Sequence, residues 1–364
     1  MKTIALILLT LVTLTSCSQN KDEKLQKKLN AIWSEYYVED FNQTKNINIL
    51  VVTNRKSKNN DFGCNNDSFG VVLDSVTQFG ICQISVPKNH AIGEINLAKD
   101  NRQSSNDFFK ISSAKSLQET DLINSLKKSD RTALIFVHGF NVQYQEAVLR
   151  AAQIAYDLKY QGPVILFTWP AGAGDGFIDE SLMNKTYANN LNNAKNSISV
   201  FQNFLIDLAK NKIRANLIVH SMGHQVVLPA LDYLGKEKPK THFVNELILN
   251  APDFDMQEFN RAISNIKKSS KHITLYCSKN DKAMIASKAF NNGSVRVGAC
   301  GLSNDLDNIN VSLVDNETLS LGHGYYSSRE ILSDVSQALL GVDVKKRLFI
   351  KKSEPFGNEK YFLR

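Results

Sequence analysis

Three short segments hold residues that could act together as a catalyst. Ser221 lies in "VHSMG", Asp281 in "YCSKND" and His323 in "LGHGYY". A serine hydroxyl attacks a carbonyl carbon when a base removes its proton, and an imidazole oriented by a carboxylate supplies that base. The chain order Ser, Asp, His is one of the orders in which such triads occur. We therefore predict that these residues are a nucleophile, an acid and a base.

Ser221 lies between an apolar run and a segment with helical spacing, which predicts a turn from a strand into a helix. A serine on such a turn projects its hydroxyl out of the sheet, in front of the free N–H groups of the helix. The usual signature is G-x-S-x-G. Here Val219 takes the place of the first glycine and Gly223 keeps the second. By itself this segment fits equally well a Ser221 that only caps the helix.

An earlier segment, "FVHGFN", ends a predicted strand at His138 and Gly139. In α/β serine hydrolases, the loop at this place contributes half of the oxyanion hole. The backbone N–H of Phe140 and that of Met222 are therefore predicted to bind the oxygen that becomes negative during the reaction. His138 is expected to hydrogen-bond the backbone of this loop and not to act as the base.

The choice of base and acid follows from position along the chain. His323 is favoured as the base because it lies between the last predicted strand and the last helix, flanked by two glycines. His220 is expected to point to the opposite side of its strand, and His224 to pack within the helix. Asp281 ends the second strand after that of Ser221 and is preferred as the acid. Asp253 ends the first such strand, satisfies the same order and remains the alternative.

The elements that must position these residues alternate after residue 130. Six apolar strand candidates have helices between or after them: "TALIFVHGF", "PVILFTWP", "NLIVHSM", "NELILNAPD", "HITLYCSKND" and "NVSLVDNETL". One long helix is predicted over "YANNLNNAKNSISVFQNFLIDLAKN". Continuous apolar strands separated by helices predict an α/β fold with a mostly parallel central sheet and helices on both faces. Ligands of such sheets bind beyond the carboxyl ends of the strands, where the candidate residues lie.

An antiparallel N-terminal portion is predicted before this alternation. "INILVVTNR", "FGVVLDSV" and "FGICQISVP" are rich in Val and Ile and are bounded by Gly, Asn and Pro, as strands are. We place one hydrolase-type domain at residues 47–341 and a basic C-terminal tail at 342–364. "AGAGDGFIDESLMN" (171–184) is expected to form a flap at the mouth of the pocket.

The first residues are typical of an export signal. Lys2 precedes the apolar run from Ile4 to Leu14, which is too short to span a bilayer comfortably. "LTSC" resembles the lipobox of bacterial lipoproteins, in which cleavage precedes a cysteine that is then lipidated. The alternative is an ordinary secreted protein that is cleaved near Ser16 or Ser18.

The lipobox interpretation divides the N-terminus into a lipoprotein signal peptide at residues 1–16 and a polar tether at 17–46. It predicts lipidation of Cys17, contact with a membrane through the attached acyl chains, and a place in the bacterial cell envelope facing the periplasm or the outside.

The remaining four cysteines suit disulfides, because an even number of them in an exported protein is typical of disulfide bonding. Three pairings are open, and proximity in the sequence favours Cys64–Cys82 and Cys277–Cys300. There is no Cys/His cluster with zinc-site spacing in the sequence, so we expect neither a metal nor another cofactor.

Composition excludes some classes of protein. The chain has 364 residues, 43% of them hydrophobic and 22% charged, which is ordinary for a globular protein. Its net charge of +7 comes from interspersed residues and not from a basic block, so nucleic-acid binding is not inferred. The oligomeric state is left open.

Taken in order, these segments resemble the α/β-hydrolase superfamily and, within it, a group of bacterial α/β hydrolases known as DUF900. The resemblance covers roughly residues 47 to 341 and is carried by "VVTNR", "QFGICQISVP", "IFVHGFN", "FTWPAGAG", "VHSMGHQVV", "NAPDFD", "LYCSKND" and "GHGYY". It implies an α/β-hydrolase fold and a serine nucleophile, without an assigned substrate. Two features depart from many relatives: asparagines in "YANNLNNA" replace an acidic pattern, and Gly322 replaces an acidic residue before the histidine.

These observations predict a serine hydrolase that acts on small-molecule or lipid carboxylic esters. The same triad would serve an acyltransferase or an amidase, so these activities remain alternatives. A lipoprotein that uses a hydrolase scaffold only to bind a partner is the third.

Overall fold

The computed structural model describes residues 45–59, 61–98, 102–173, 180–302, 306–314, 323–325, 328–352 and 359–364. The predicted signal peptide, Cys17, nearly all of the tether, Gly322 and the central part of the predicted flap lie outside these ranges. Within them, no helix has the length and apolar character that crossing a membrane requires.

Strands and helices alternate through most of the described chain. The strands are β1 (Lys45–Ser57), β2 (Phe69–Val86), β3 (Lys110–Leu117), β4 (Ala133–Val137), β5 (Val164–Thr168), β6 (Ala215–His220), β7 (Val244–Asn250), β8 (Ser270–Cys277), β9 (Asp307–Asn310), β10 (Ile350–Lys352) and β11 (Tyr361–Leu363). The helices are α1 (Glu119–Lys127), α2 (Tyr144–Asp157), α3 (Glu180–Asn196), α4 (Ile198–Lys210), α5 (His224–Glu237), α6 (Met256–Ser269), α7 (Lys282–Phe290) and α8 (Arg329–Leu339).

The strands form one 11-stranded sheet in the order β10-β11-β9-β8-β7-β6-β4-β5-β1-β2-β3. Pairing is parallel from β11 through β1. It is antiparallel between β1, β2 and β3 and between β10 and β11. The predicted mostly parallel sheet with an antiparallel N-terminal portion is therefore confirmed.

Central strands are apolar throughout because both faces of the sheet are covered. In β4, Leu134 and Phe136 pack with residues of α2 on one face. Ile135 and Val137 pack on the other face with residues of α4 and α5. All residues of β4 are buried, as expected for a parallel strand between two helical layers. Val219, which takes the place of the first glycine of the nucleophile signature, is fully buried and packs on this second face with residues of α4 and α5.

Two predicted elements have different bounds in the structure. The segments predicted as separate strands in "FGVVLDSVTQFGICQISV" are one strand, β2, of 18 residues. The strand predicted over "NVSLVDNETL" (310–319) is misplaced, because β9 (Asp307–Asn310) shares only Asn310 with that segment. After Asn310 the chain turns, because its side-chain Oδ1 accepts from the N–H of Ser312 (2.9 Å) and Val314 N–H donates to the carbonyl of Val311 (3.0 Å).

The long helix predicted after residue 186 is divided into α3 and α4 at Ser197. The Ser197 hydroxyl donates to the carbonyl of Asn193 (2.8 Å) and accepts from Nδ2 of Asn54 in β1 (2.9 Å). The side chain at the break therefore ties the helical layer to the sheet.

The segment 342–364, which the sequence indicates as a tail, contributes strands β10 and β11 to the edge of the sheet. Leu363 is fully buried. Within the same segment, Arg347 Nη2 donates to the hydroxyl of Thr274 (3.0 Å) in the middle of β8.

Both disulfides favoured by sequence proximity are present, which confirms that pairing. Cys64–Cys82 ties the loop before β2 to β2 itself, and Cys277–Cys300 ties the end of β8 to the turn at 297–299. In the chain-entropy model each contributes about 3 kcal/mol. Glu359 lies close to Cys277 and Cys300. Both sulfurs are bonded to each other, however, so this cluster offers no thiolate to a metal ion.

Candidate active site

Ser221 follows β6 directly and begins a short 3₁₀ turn that leads into α5. Its φ is +51°, in the left-handed region that non-glycine residues seldom occupy. The Ser221 carbonyl accepts hydrogen bonds from Nδ1 of His224 (2.7 Å) and from the N–H of Asp253 (3.3 Å). Ser221, which is 5% exposed, therefore lies on a strained strand-to-helix turn held by neighbouring elements, the backbone arrangement typical of a serine nucleophile.

Two glycines allow the chain to pack closely around this turn. A Cβ added to Gly139 would lie 2.7 Å from the Cβ of Ser221, and one added to Gly223 would lie 2.5 Å from the carbonyl oxygen of His138. Real Cβ atoms do not approach this closely. The loop after β4 therefore lies directly against Ser221 because residues 139 and 223 lack side chains.

Asp281 and His323, which the sequence predicts as acid and base, are in direct contact. Nδ1 of His323 lies 2.7 Å from Oδ2 of Asp281. The other carboxylate oxygen of Asp281 accepts the N–H of Met284 (3.1 Å) and so caps α7, and the hydroxyl of Tyr325 donates to Oδ2 over 3.5 Å. When Nδ1–H donates to the carboxylate, Nε2 of His323 is left as the proton acceptor.

His220, to which sequence reasoning assigned no role, supports His323. Its Nε2 lies 3.1 Å from the carbonyl oxygen of His323, and the two ring centroids are 4.6 Å apart. Burial, followed by the nearby His323, lowers the pKa of His220 well below its usual value. His220 is therefore neutral and donates through Nε2, which holds the backbone of His323 close to the turn of Ser221.

Among the described residues, the Ser221 hydroxyl has no hydrogen-bond partner.

The alternative acid, Asp253, is not placed against His323. Its Oδ1 forms an ion pair with Nε of Arg296 (2.8 Å) and accepts the hydroxyl of Ser287, and its Oδ2 accepts the hydroxyl of Tyr187 (2.9 Å). Asp253 is 2% exposed. Its carboxylate is therefore engaged in a buried network that joins α3 and α7 behind the turn of Ser221.

The loop after β4 holds His138 and Phe140, one of the two predicted oxyanion donors. Nδ1 of His138 lies 3.0 Å from the carbonyl oxygen of Gly139, and Trp169 Nε1 donates to the His138 carbonyl (3.1 Å). His138 thus bonds the loop backbone, as the sequence indicates. Within the described part of the chain, the N–H of Phe140 has no acceptor. Met222 lies in the first turn of its helix, where N–H groups lack acceptors within the helix.

Asn190 is a supporting residue that sequence reasoning missed. Its Oδ1 accepts the N–H groups of Asn141 (3.1 Å) and Gly172 (3.0 Å), and its Nδ2 donates to the Gly172 carbonyl (3.0 Å). It lies in α3, within the asparagine-rich segment that departs from the pattern of many relatives. The run of asparagines was the available signal, but the sequence does not show which one faces the loop.

Buried neutral histidines make the stability of this region dependent on pH. Burial lowers the pKa of both His138 and His224 from 6.5 to about 3. In the unfolded chain these groups take up protons below about pH 6.5, whereas the folded protein does not. The free energy of unfolding is therefore expected to fall between pH 6.5 and pH 3, by on the order of 2 kcal/mol per histidine at pH 5.

Urea unfolding at pH 7 and pH 5 measures this effect. His224→Gln should show a smaller difference between the two pH values than the wild type. His242→Gln is the control, because His242 is exposed and its replacement should leave the difference unchanged. Equal unfolding free energies of the wild type at both pH values would contradict the prediction.

The family model "Alpha/beta hydrolase of unknown function (DUF900)" matches residues 114–342. The chain belongs to this family of α/β hydrolases. The matched range includes the residues discussed above: Ser221, Asp281, His323, Phe140 and Met222. The family match and the observed strand order both indicate an α/β-hydrolase fold.

Other comparisons show more distant similarity. Two structures of phospholipase PlaB from Legionella pneumophila, the first in complex with thio-NAD, are 13% and 11% identical to this α/β hydrolase, with TM-scores of 0.30 and 0.28. Each match covers 62% of this chain, and the matches cover 66% and 67% of the respective PlaB chains. The first match thus spans slightly less than two thirds of its PlaB chain. No curated protein matches the chain.

Proposed function

We propose that this α/β hydrolase is a serine hydrolase that cleaves carboxylic esters through an acyl-enzyme on Ser221. The observation that carries the proposal is the Asp281–His323 pair, which lies beside the strained turn that bears the serine. A helix-capping serine alone would require neither a left-handed φ nor an adjacent histidine–carboxylate pair.

In the proposed acylation step, the Ser221 oxygen attacks the ester carbonyl carbon while Nε2 of His323 takes the hydroxyl proton. The carbonyl electron pair moves onto oxygen, which the N–H groups of Phe140 and Met222 stabilise. Asp281 keeps His323 in the required tautomer and stabilises its protonated form. Collapse of the intermediate breaks the bond to the alcohol oxygen, which receives the proton from His323.

Deacylation repeats these steps with water. His323 removes a proton from the attacking water, the acyl–oxygen bond to Ser221 breaks, and the serine recovers its proton from His323. The products are a carboxylic acid and an alcohol. An alcohol or amine acceptor in place of water would give acyl transfer, and an amide substrate would use the same groups.

Turnover of p-nitrophenyl esters of graded acyl length tests this proposal. We expect hydrolysis with an optimum at one range of lengths, and no turnover above background for Ser221→Ala. Added alcohols distinguish acyl transfer from hydrolysis, and the matching p-nitroanilides report amidase activity. Wild-type protein that is folded yet inactive towards all of these substrates would favour a scaffold that only binds a partner.

A further inference from the structure

Arg55, in the segment "VVTNR" near the end of β1, is a fully buried cation. Nη1 donates to the carbonyl oxygens of Gly70 (3.0 Å) and Ala171 (2.8 Å), and Nη2 donates to that of Val142 (2.9 Å). No carboxylate among the described residues forms an ion pair with it. Glu146 is near enough to interact electrostatically with Arg55, but a buried charge without a direct ion pair is costly, so its place beside the loop after β4 calls for an explanation beyond packing.

Arg55 also contacts His138, at the start of that loop, both directly and through Thr168 at the end of β5. Nε of Arg55 donates to the hydroxyl oxygen of Thr168 (2.9 Å), and the same oxygen lies 2.9 Å from Nε2 of His138. Because the Thr168 oxygen accepts from Arg55, its own hydrogen is available for Nε2 of His138. Nη2 of Arg55 also lies 3.4 Å from that nitrogen.

These contacts select one tautomer of His138. The Thr168 hydroxyl and Nη2 of Arg55 can both donate to Nε2, and the Gly139 carbonyl oxygen at Nδ1 can only accept, so Nε2 is the acceptor and the proton lies on Nδ1. Burial, with a further contribution from Arg55, lowers the pKa of His138 to about 3, so the ring is neutral at working pH. Nδ1–H then donates to the carbonyl oxygen of Gly139 (3.0 Å).

That last hydrogen bond sets the direction of a peptide plane. In a trans peptide the C=O and the following N–H point in opposite directions. With the Gly139 carbonyl held towards His138, the N–H of Phe140 points away from His138. Gly139 itself packs against Ser221, so this loop presents a pre-oriented donor beside the proposed nucleophile.

We propose that Arg55 and Thr168 are positioning residues for the oxyanion hole, acting through the tautomer of His138 on the Gly139–Phe140 peptide. This inference rests on the proposed function, since Phe140 N–H stabilises an oxyanion only if Ser221 attacks a carbonyl. Neither residue touches the reacting atoms. They hold the donor in place before substrate arrives.

Thr168→Val tests the relay, because valine keeps the shape of threonine and removes the hydroxyl. Thr168→Ser restores the hydroxyl and should behave like the wild type. Thr274→Val is the matched control, since Thr274 is also a buried strand threonine whose hydroxyl accepts from a buried arginine, Arg347.

Two inhibitors separate oxyanion binding from general binding. Octyl trifluoromethyl ketone forms a tetrahedral oxyanion adduct with an active serine, and its reduced alcohol cannot. We expect Thr168→Val to weaken the ketone by about 10- to 100-fold, to lower kcat similarly and to leave KM and alcohol binding within about twofold. An effect no larger than that of Thr274→Val, or an equal loss in Thr168→Ser, would overturn the proposal.

An NMR measurement tests the relay without any reaction. The ¹⁵N chemical shifts of the His138 ring should report the Nδ1–H tautomer in the wild type and a change of tautomer or exchange in Thr168→Val. An Nε2–H tautomer in the wild type would overturn the relay whatever the activity. Failure of the wild type to prefer the ketone over the alcohol would instead count against Ser221 as the nucleophile.

Discussion

Replacing His323 with alanine is expected to lower kcat on the best p-nitrophenyl ester by about 10⁴- to 10⁶-fold. In the proposed mechanism the imidazole takes the Ser221 proton during attack and returns a proton to the leaving alcohol, so its removal abolishes both transfers. The side chain of His323 is 15% exposed, so its removal leaves a cavity, but the carboxylate of Asp281 keeps the N–H of Met284 and the hydroxyl of Tyr325 as partners. Stability should therefore change far less than activity, and KM should stay within a few-fold of the wild type.

His272→Ala provides a control for this variant. His272 also faces a carboxylate through Nδ1, at 2.7 Å from Oε1 of Glu246, but it lies at the other end of β8. Its loss should leave kcat within about twofold, because a histidine–carboxylate pair remote from the serine takes no part in proton transfer. Equal activity of His323→Ala and His272→Ala would remove His323 from the mechanism.

Asp281→Asn is expected to lower kcat by about 10⁴-fold. The amide would donate to Nδ1 of His323 where the carboxylate accepts, so it would favour the wrong tautomer and lose the negative charge that stabilises the imidazolium. Asparagine is also a good helix cap, so the bond from the N–H of Met284 and the start of α7 should be retained. Steady-state kinetics together with thermal unfolding separate the catalytic loss from any loss of fold.

Asp253→Asn should give the opposite pattern. It breaks a buried ion pair with Arg296, and removing one partner of such a pair costs about 3–5 kcal/mol. The fraction that remains folded should turn over within about tenfold of the wild type. If Asp253→Asn were stable and inactive while Asp281→Asn kept its activity, the assignment of the acid would be reversed.

Local patterns in the sequence were sufficient for the fold class and for both disulfides. Apolar runs separated by helices predict parallel strands, and the ends of such strands meet at one edge of the sheet. This reasoning also selected Asp281 over Asp253, and the structure pairs Asp281 with His323. The last of these predicted strands was misplaced because the turn after Asn310 depends on a side-chain hydrogen bond, which periodicity does not reveal. β2 was divided because Thr77 and Gln78 interrupt its apolar pattern, although Gln78 pairs with Thr53 of β1.

The supporting residues were beyond the reach of these patterns. Arg55 meets Thr168 because β1 lies beside β5 in the sheet, although 113 residues separate them. Asn190 meets the loop after β4 because α3 covers that end of the sheet. Such contacts depend on strand order and helix placement, which single residues and their spacing do not specify. The segment "VVTNR" therefore supported a family resemblance but predicted no role for its arginine.

Mass spectrometry of the protein after treatment with a fluorophosphonate probes the nucleophile itself. Tryptic peptides of the wild type should carry one phosphonyl group on the Ser221 hydroxyl oxygen, with loss of fluoride, and His323→Ala should react much more slowly. Ser221→Ala, shown to be folded by its thermal unfolding, should carry none. A folded wild-type protein that remains unmodified at Ser221, or a modification that persists in Ser221→Ala, would contradict the assignment of Ser221 as the nucleophile.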